Sequence, residues 1–587
     1  MPGTDASACR GAPCPPPWAA DTSNSAPPQP ESNRMSRRIG AALLAAAVLW
    51  AAPPSLEAQT GPHDEYLNHN ALTSAVNDLV SRHGNLASVE SLASSREGRD
   101  VWLLTLGASG DRALDERPAL LLVANLEANR VAGSVAALHA AEYILEGYGS
   151  DDDLTRLLDE RTVYVIPRVN PDGAERYWTR PDYELPFGPH PDSPERDGLN
   201  STEIGADLSG SGHVQLMRVE HPEGTLIPDP DEPRLLREAD RARAERGLYK
   251  VMVEGIHPDS LDAYVAMGTD GVNLNRNFPH EFLYYQHHVG PHQVSEPETR
   301  ALADFMFEQV NIAAVFSFTA HDNLRSVPPR NRQVPDGVAP GPPSIPDNIL
   351  NGDRPYHEFI SERFREITGL HGDGEPGEAG SFPQFAYFQV GIPSFTTPVW
   401  TLGEGEGDTR DHQWLALFDE MGVEGFTDWT PATHPQLGEV EVGGFLPNAR
   451  VNPPPAEIEQ LARGHAEFAA WLGQQLPEVE IVDTSIEPRG DGVWMIEATI
   501  RNDQYLPTHF DMGVRVRTNR PITVRLMPHD DLTVLTGNIQ QQIQRLQGMG
   551  GQHTFQWLVA APSGTDLVME VFAERAGGLQ STTLNLR

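Results

Sequence analysis

From about Asp64 to Pro477, short apolar runs alternate with amphipathic or alanine-rich stretches, and this alternation limits the fold more than any other feature. Pro118 to Asn125 (PALLLVAN) is apolar at nearly every position, as a strand covered on both faces must be. Val101 to Leu106, Thr162 to Val169, Ile312 to Phe318 and Ser394 to Val399 read as further strands. Between them, Tyr66 to His83, Val131 to Leu145 and Pro455 to Leu476 read as helices. Ser295-Glu296-Pro297-Glu298 opens another through Glu308, with serine as the expected N-cap and acids and proline in the first turn. Strands alternating with helices predict an α/β fold: a mixed central sheet with helices on both faces.

Two stretches break the rhythm. Residues 180–255 are rich in Pro, Asp, Glu and Gly and read as an insertion over the surface, and Ser326 to Pro355 is a second irregular stretch. Both are expected to be loops around a site mouth. From Val479 the pattern changes to short strands separated by turn residues. Val479 to Ser485, Trp494 to Asn502, Gly513 to Thr518, Ile522 to Leu526, His553 to Ala560 and Leu567 to Ala573 are expected strands, with Gln540 to Leu546 a short helix. Residues 478–587 are therefore expected to form a β-sandwich of immunoglobulin-like size.

The N-terminal region predicts export. Residues 35–58 have a start, a basic pair (Arg37, Arg38), an apolar run from Ile39 to Ala52 and a small-residue end at Ala58, as a signal peptide requires. That run is too short to span a bilayer, so no membrane span is expected after cleavage and the chain is expected to be secreted or periplasmic. Residues 1–34 read as a disordered leader or a misplaced start, and they hold both cysteines, Cys9 and Cys14. The remainder, with residues 59–477 as the main domain, has no thiol chemistry available. The formal net charge of −40 argues against nucleic acid as a partner, because phosphate binding needs a basic patch. No G-x-S-x-G elbow is present to suggest a serine hydrolase.

Five motifs in order carry a resemblance. They are Arg96-Glu97-Gly98-Arg99, Asn170-Pro171-Asp172-Gly173, Gly271-Val272-Asn273-Leu274-Asn275-Arg276-Asn277-Phe278-Pro279, Ser295-Glu296-Pro297-Glu298-Thr299-Arg300 and Gly391-Ile392-Pro393-Ser394-Phe395-Thr396. Together, across residues 64 to 477, they resemble the carboxypeptidase A-like zinc metallocarboxypeptidases, a peptidase family. The resemblance implies removal of a C-terminal residue by zinc-dependent proteolysis. It implies a metal held by an H-x-x-E pair and a distant histidine, a glutamate base, and arginines with an asparagine on the substrate carboxylate.

Set against that pattern, several positions differ. Glu127 stands where the histidine ligand belongs and Arg130 where the glutamate ligand belongs, while His321 keeps the third position. Pro398 stands at the place of the catalytic base, and no tyrosine lies between Gly372 and Gly380, where the family's mobile tyrosine falls. An arginine stays protonated and has no lone pair for a metal. Zinc, the family's cofactor, is therefore expected to be absent or weakly held. Glu127 and Arg130 are expected to pair with each other at i, i+3 spacing, with the guanidinium filling the metal pocket.

By the same resemblance Arg180, Asn275 and Arg276 hold the positions of the substrate-gripping residues, and Asn273 replaces an aspartate. The expected partner is a peptide or other carboxylate ligand, since bidentate arginine contacts need no metal. The sequence thus predicts a catalytically impaired or inactive binding protein on a carboxypeptidase fold. The alternative is an active metallocarboxypeptidase with a rebuilt metal site, using Glu127 and His321 with an acid from another loop such as Glu404 or Glu406. His287, His288 and His292 are expected to be a solvated loop cluster. Ser193 to Gly198 and Asp207 to Gly212 resemble calcium loops without the closing glutamate, so calcium is not expected.

Overall fold

A computed structural model describes residues 66–179, 188–189, 207–255, 271–328, 348–403, 409–435 and 437–587. Residues 1–65, Arg180, Ser193 to Gly198, Glu404 and Glu406 lie outside the described residues.

Six strands form the central sheet: β1 (Ala87–Ser94), β2 (Asp100–Leu106), β3 (Ala119–Ala124), β4 (Thr162–Ile166), β5 (Ile312–Phe318) and β6 (Ser394–Thr397). Their spatial order is β1-β2-β4-β3-β5-β6. β4, β3, β5 and β6 run parallel to one another, and β1 and β2 close the sheet antiparallel. Every residue of β3 is buried, which the unbroken apolar run required.

Side chains alternate across β3. Leu120, Leu122 and Ala124 join one core with α1 (His69–Arg82), α2 (Ala132–Gly147), α3 (Asp152–Glu160) and the long helix Pro455–Gln474. Ala119, Leu121 and Val123 join a second core on the other face, with Leu302, Phe305 and Met306 from Pro297–Glu308 and with Phe382 and Phe385. Truncating a leucine of β3 to alanine removes contacts on a face that cannot collapse, a loss of about 2–5 kcal/mol.

The insertion is more ordered than its composition suggests. Its described part contributes strands Leu216–Glu220, Leu226–Pro228, Leu236–Glu238 and Tyr249–Val253 to a second six-stranded sheet, completed by Phe426–His434 and Gly438–Phe445. Arg218 is sandwiched there between the rings of Tyr249 and Trp429, each 4.6 Å from the guanidinium carbon, and pairs with Glu441. The expectation of loops alone is corrected for residues 207–255: Met217, Met252, Val440 and Val442 give this sheet its own small core.

Residues 478–587 form two four-stranded antiparallel sheets over one shared core. Two expected elements differ. Asp511–Val516 is a short helix where a strand was expected, and Gln540–Ile543 is a strand where a helix was expected. The helix owes its start to a residue far away in sequence. The Asp353 carboxylate, fully buried, accepts from the backbone N–H of Asp511 (2.6 Å) and Met512 (3.0 Å) and from the Tyr387 hydroxyl (2.8 Å). Nearby, Tyr505 stacks on Phe359 at 4.0 Å and Tyr356 on Phe510 at 5.3 Å. At the other edge of this contact Glu478 pairs with buried Arg161 (2.6 Å) and with Arg112 (2.5 Å). Among the described residues no helix is long and apolar enough to cross a membrane.

Candidate functional site

Strand register builds the site. Ala124 of β3 lies level with Phe318 of β5, and Phe318 with Thr397 of β6. Three parallel strands thus end side by side, and the loops leaving their carboxyl ends carry Glu127, His321 and Pro398. In sheets of this kind ligands bind outside the carboxyl ends of the strands.

The first loop is shaped by Asn125. Its φ of 55° is in the left-handed region, which asparagine tolerates better than most residues. Its side-chain amide donates to the carbonyls of Glu127 (3.0 Å), Ala128 (3.2 Å) and Arg130 (3.2 Å), curling the chain so that Glu127 turns inward. Gly133 then lets α2 approach closely, since a Cβ there would sit 3.2 Å from the Phe318 side chain.

Glu127 is 3% exposed. Its Oε1 accepts from Asn275 Nδ2 (2.7 Å) and from the backbone N–H of Ala320 (3.1 Å), while its Oε2 has no hydrogen-bond partner. The expected pairing of Glu127 with Arg130 does not form. The Arg130 backbone N–H caps the Glu127 carbonyl at 3.1 Å, and its half-buried side chain makes no ion pair with that carboxylate. The curl tied by Asn125 is a tight turn and not a helix, so i, i+3 side chains do not converge.

His321 is buried, and its Nε2 accepts from the Glu378 backbone N–H at 3.4 Å. Asn275 is committed at both ends, donating to Glu127 and accepting from the backbone N–H of Phe382 at 2.9 Å. Arg276 beside it is 27% exposed; its Nε has no hydrogen-bond partner and lies 3.6 Å from the Glu378 carboxylate.

Beside buried Pro398, the acid that Thr397 contacts is spent elsewhere. Thr397 Oγ1 donates to Asp322 Oδ2 at 3.1 Å, and the same oxygen pairs with Arg325 Nε at 2.5 Å. Asp322 is fully buried, and its other oxygen accepts from the backbone N–H of Leu324 and Arg325.

Of the sequence-derived site residues, the structure brings Glu127, His321, Asn275 and Arg276 into one cluster. Sequence reasoning missed Glu378, Asp322 and Arg325. The glycine-rich run from Gly372 to Gly380 is the one visible signal for the first of these, and the loop carries Glu378 in the stretch where the resemblance places a tyrosine.

Other motifs serve the scaffold. Asp172 accepts from Ser95 Oγ (2.6 Å), the Glu97 N–H (2.9 Å) and Arg99 Nη1 (2.8 Å), while Arg96 pairs with Glu296 (2.7 Å). Ser295 is not the N-cap of Pro297–Glu308; Glu296 holds that place, and the Ser295 hydroxyl accepts from Asn277 Nδ2. Asp207 turns its carboxylate into its own loop, accepting from the N–H groups of Gly210, Ser211 and Gly212, so those oxygens serve as a turn cap. In the histidine loop, His288 Nδ1 lies 3.1 Å from the Gly271 carbonyl and His292 Nδ1 lies 3.0 Å from the Gln293 carbonyl.

Fold and site together describe an α/β domain of the carboxypeptidase type. Residues 72–342 match the family described as zinc carboxypeptidase. Residues 478–583 match a domain of unknown function. Among curated relatives, a zinc carboxypeptidase from Saccharothrix mutabilis subsp. capreolus is 31% identical over 143 residues, covering 24% of this chain and 31% of that protein. Carboxypeptidase D from Drosophila melanogaster is 32% identical over 111 residues, covering 19% of this chain and 8% of that protein. The chain therefore matches less than a third of either relative's length. A crystal structure of thrombin activatable fibrinolysis inhibitor aligns at 14% identity and a TM-score of 0.38, covering 70% of this chain and 73% of that one.

The family implies zinc, and a catalytic zinc takes three protein ligands. Here Glu127 Oε2 is a buried oxygen without a partner and His321 is buried, but the position that aligns with the family's glutamate ligand carries the cation Arg130. Among the described residues no group of three or more His, Cys, Asp or Glu side chains is placed to hold a metal ion. The donors described fall one short of the set that the metal needs.

Proposed function

We propose that this protein is an extracytoplasmic binding protein that captures peptide C-termini or similar carboxylates and does not hydrolyse them. The observation that carries this reading is Arg276: a partly exposed side chain whose buried Nε has no hydrogen-bond partner, next in the chain to Asn275, which contacts Glu127. A ligand carboxylate can take two parallel N–H···O bonds from such an edge. Asn275, buried and engaged with Glu127 and Phe382, holds the floor of the site. Arg180 is proposed as a second cation by its place in the sequence alone.

Loss of hydrolysis is argued from side-chain chemistry. Pro398 offers no acid or base, and Asp322 is neutralised by Arg325. Acid–base catalysis needs a group able to accept and return a proton at the reacting atoms. Export is proposed from the signal-like residues 35–58.

One observation favours the second reading, an active metallopeptidase with a rebuilt site: the buried, unpartnered Oε2 of Glu127, whose other oxygen accepts from the backbone N–H of Ala320. A single set of measurements separates the two. Bound zinc is quantified in the purified full chain, C-terminal residue release is assayed with and without chelator, and a peptide with a free C-terminus is titrated against its C-terminal amide. Preference for the free acid by about tenfold or more, without chelator-sensitive release, is the expected outcome. Stoichiometric zinc with chelator-sensitive turnover, or equal binding of acid and amide, overturns it.

A further inference from the structure

We propose that Glu378 occupies, from within the chain, the place of a ligand carboxylate on Arg276, so that the strap Gly372–Gly380 sets how strongly the site binds anions. The inference rests on the reading of Arg276 as the carboxylate-binding cation.

The strap is held at both ends. Glu375 and Asp322 exchange two backbone hydrogen bonds of 2.8 Å each, and Arg325 Nη2 donates to the Asp373 carbonyl at 3.0 Å. At the far end the Gly380 carbonyl accepts from the Phe278 N–H (2.8 Å), and the Gly380 N–H donates to the His280 carbonyl (2.7 Å). Gly380 has a φ of 78°, and a Cβ there would lie 2.5 Å from the Arg276 carbonyl oxygen, so only glycine lets the strap press this close to the Arg276 backbone.

Between these anchors Glu378 reaches both halves of the site. Its N–H donates to His321 Nε2, and its carboxylate lies 3.6 Å from Arg276 Nε. That distance is longer than the 2.7–2.9 Å typical of a charge-assisted hydrogen bond, and the Glu378 side chain is 63% exposed. An exposed pair of this length is weak. It is strong enough to bias an empty site and weak enough for an incoming carboxylate making two short bonds to displace it.

The test compares the full chain with Glu378→Gln, Arg276→Gln and the double variant, using a fluorescent peptide with a free C-terminus and its amidated twin. Glu378→Gln is expected to tighten free-acid binding about 3- to 10-fold and to leave the amide unchanged. Arg276→Gln is expected to abolish the acid preference and, in the double variant, the gain. Thermal unfolding of each variant confirms folding, since the Glu378 side chain is mostly solvent-facing. If the parent prefers the acid but Glu378→Gln binds it no better or more weakly, the strap proposal fails and the site reading stands. If neither parent nor Glu378→Gln discriminates acid from amide, the site reading fails with it.

Discussion

At the scale of single residues, the proposed function turns on Glu127 and Arg130. Each is read from the sequence alone, by its place in a segment that ends a buried strand. What the sequence could not show is where their side chains go. The i, i+3 spacing suggests a pair, yet Asn125 ties the loop into a curl, and Glu127 takes its donors from Asn275 and Ala320, on segments 148 and 193 residues away. If position 130 is what excludes the metal, restoring the donor set restores binding. The double variant Glu127→His with Arg130→Glu is expected to take up one equivalent of zinc with His321, where the parent takes up far less. Dialysis against zinc followed by elemental analysis reads this directly. The variant is expected to remain without peptidase turnover, because position 398 is still proline.

At the scale of elements, apolar strands and amphipathic helices of the main domain were legible because burial writes itself into periodicity. The elements missed or misassigned depend on partners distant in the chain. Gly513 to Thr518 reads as a strand from its valines, but the Asp353 carboxylate satisfies two N–H groups of Asp511–Val516 and makes a helix of it. Gln540–Ile543 has helix-forming glutamines, but pairing with Ile522–Leu526 draws it into the sheet edge. Helix starts left without their acceptors lose stability. Asp353→Ala removes three hydrogen bonds from a buried carboxylate and is expected to cost about 3–5 kcal/mol. In denaturant titration the β-sandwich and the main domain are then expected to unfold at separate midpoints, whereas the parent loses both together.

On the scale of the whole molecule, acid sensitivity follows from buried histidines. Burial depresses His357 to about 3, and His465 and His509 to about 4. These groups are neutral in the fold, so their contribution is fully present above the ordinary value of 6.5 and is lost as pH falls toward 4 and 3. Protonating one in place costs on the order of 3 kcal/mol. Burial among acids acts oppositely on Glu298, raised to about 7: its contribution is present below 4.5 and is lost as pH rises through 7. Three histidines outweigh one glutamate, so stability is expected to fall between pH 6.5 and 4, measured as the urea midpoint. His357→Leu is expected to flatten that fall, since neither ring nitrogen of His357 has a hydrogen-bond partner to lose.

The shared cap at Asp353 also bears on ancestry. One carboxylate serves a tyrosine of the main domain and a helix of the C-terminal one, so neither domain is complete without the other. Losing the C-terminal half would leave the buried Asp353 carboxylate without two of its three donors, so the two halves are expected to be kept together.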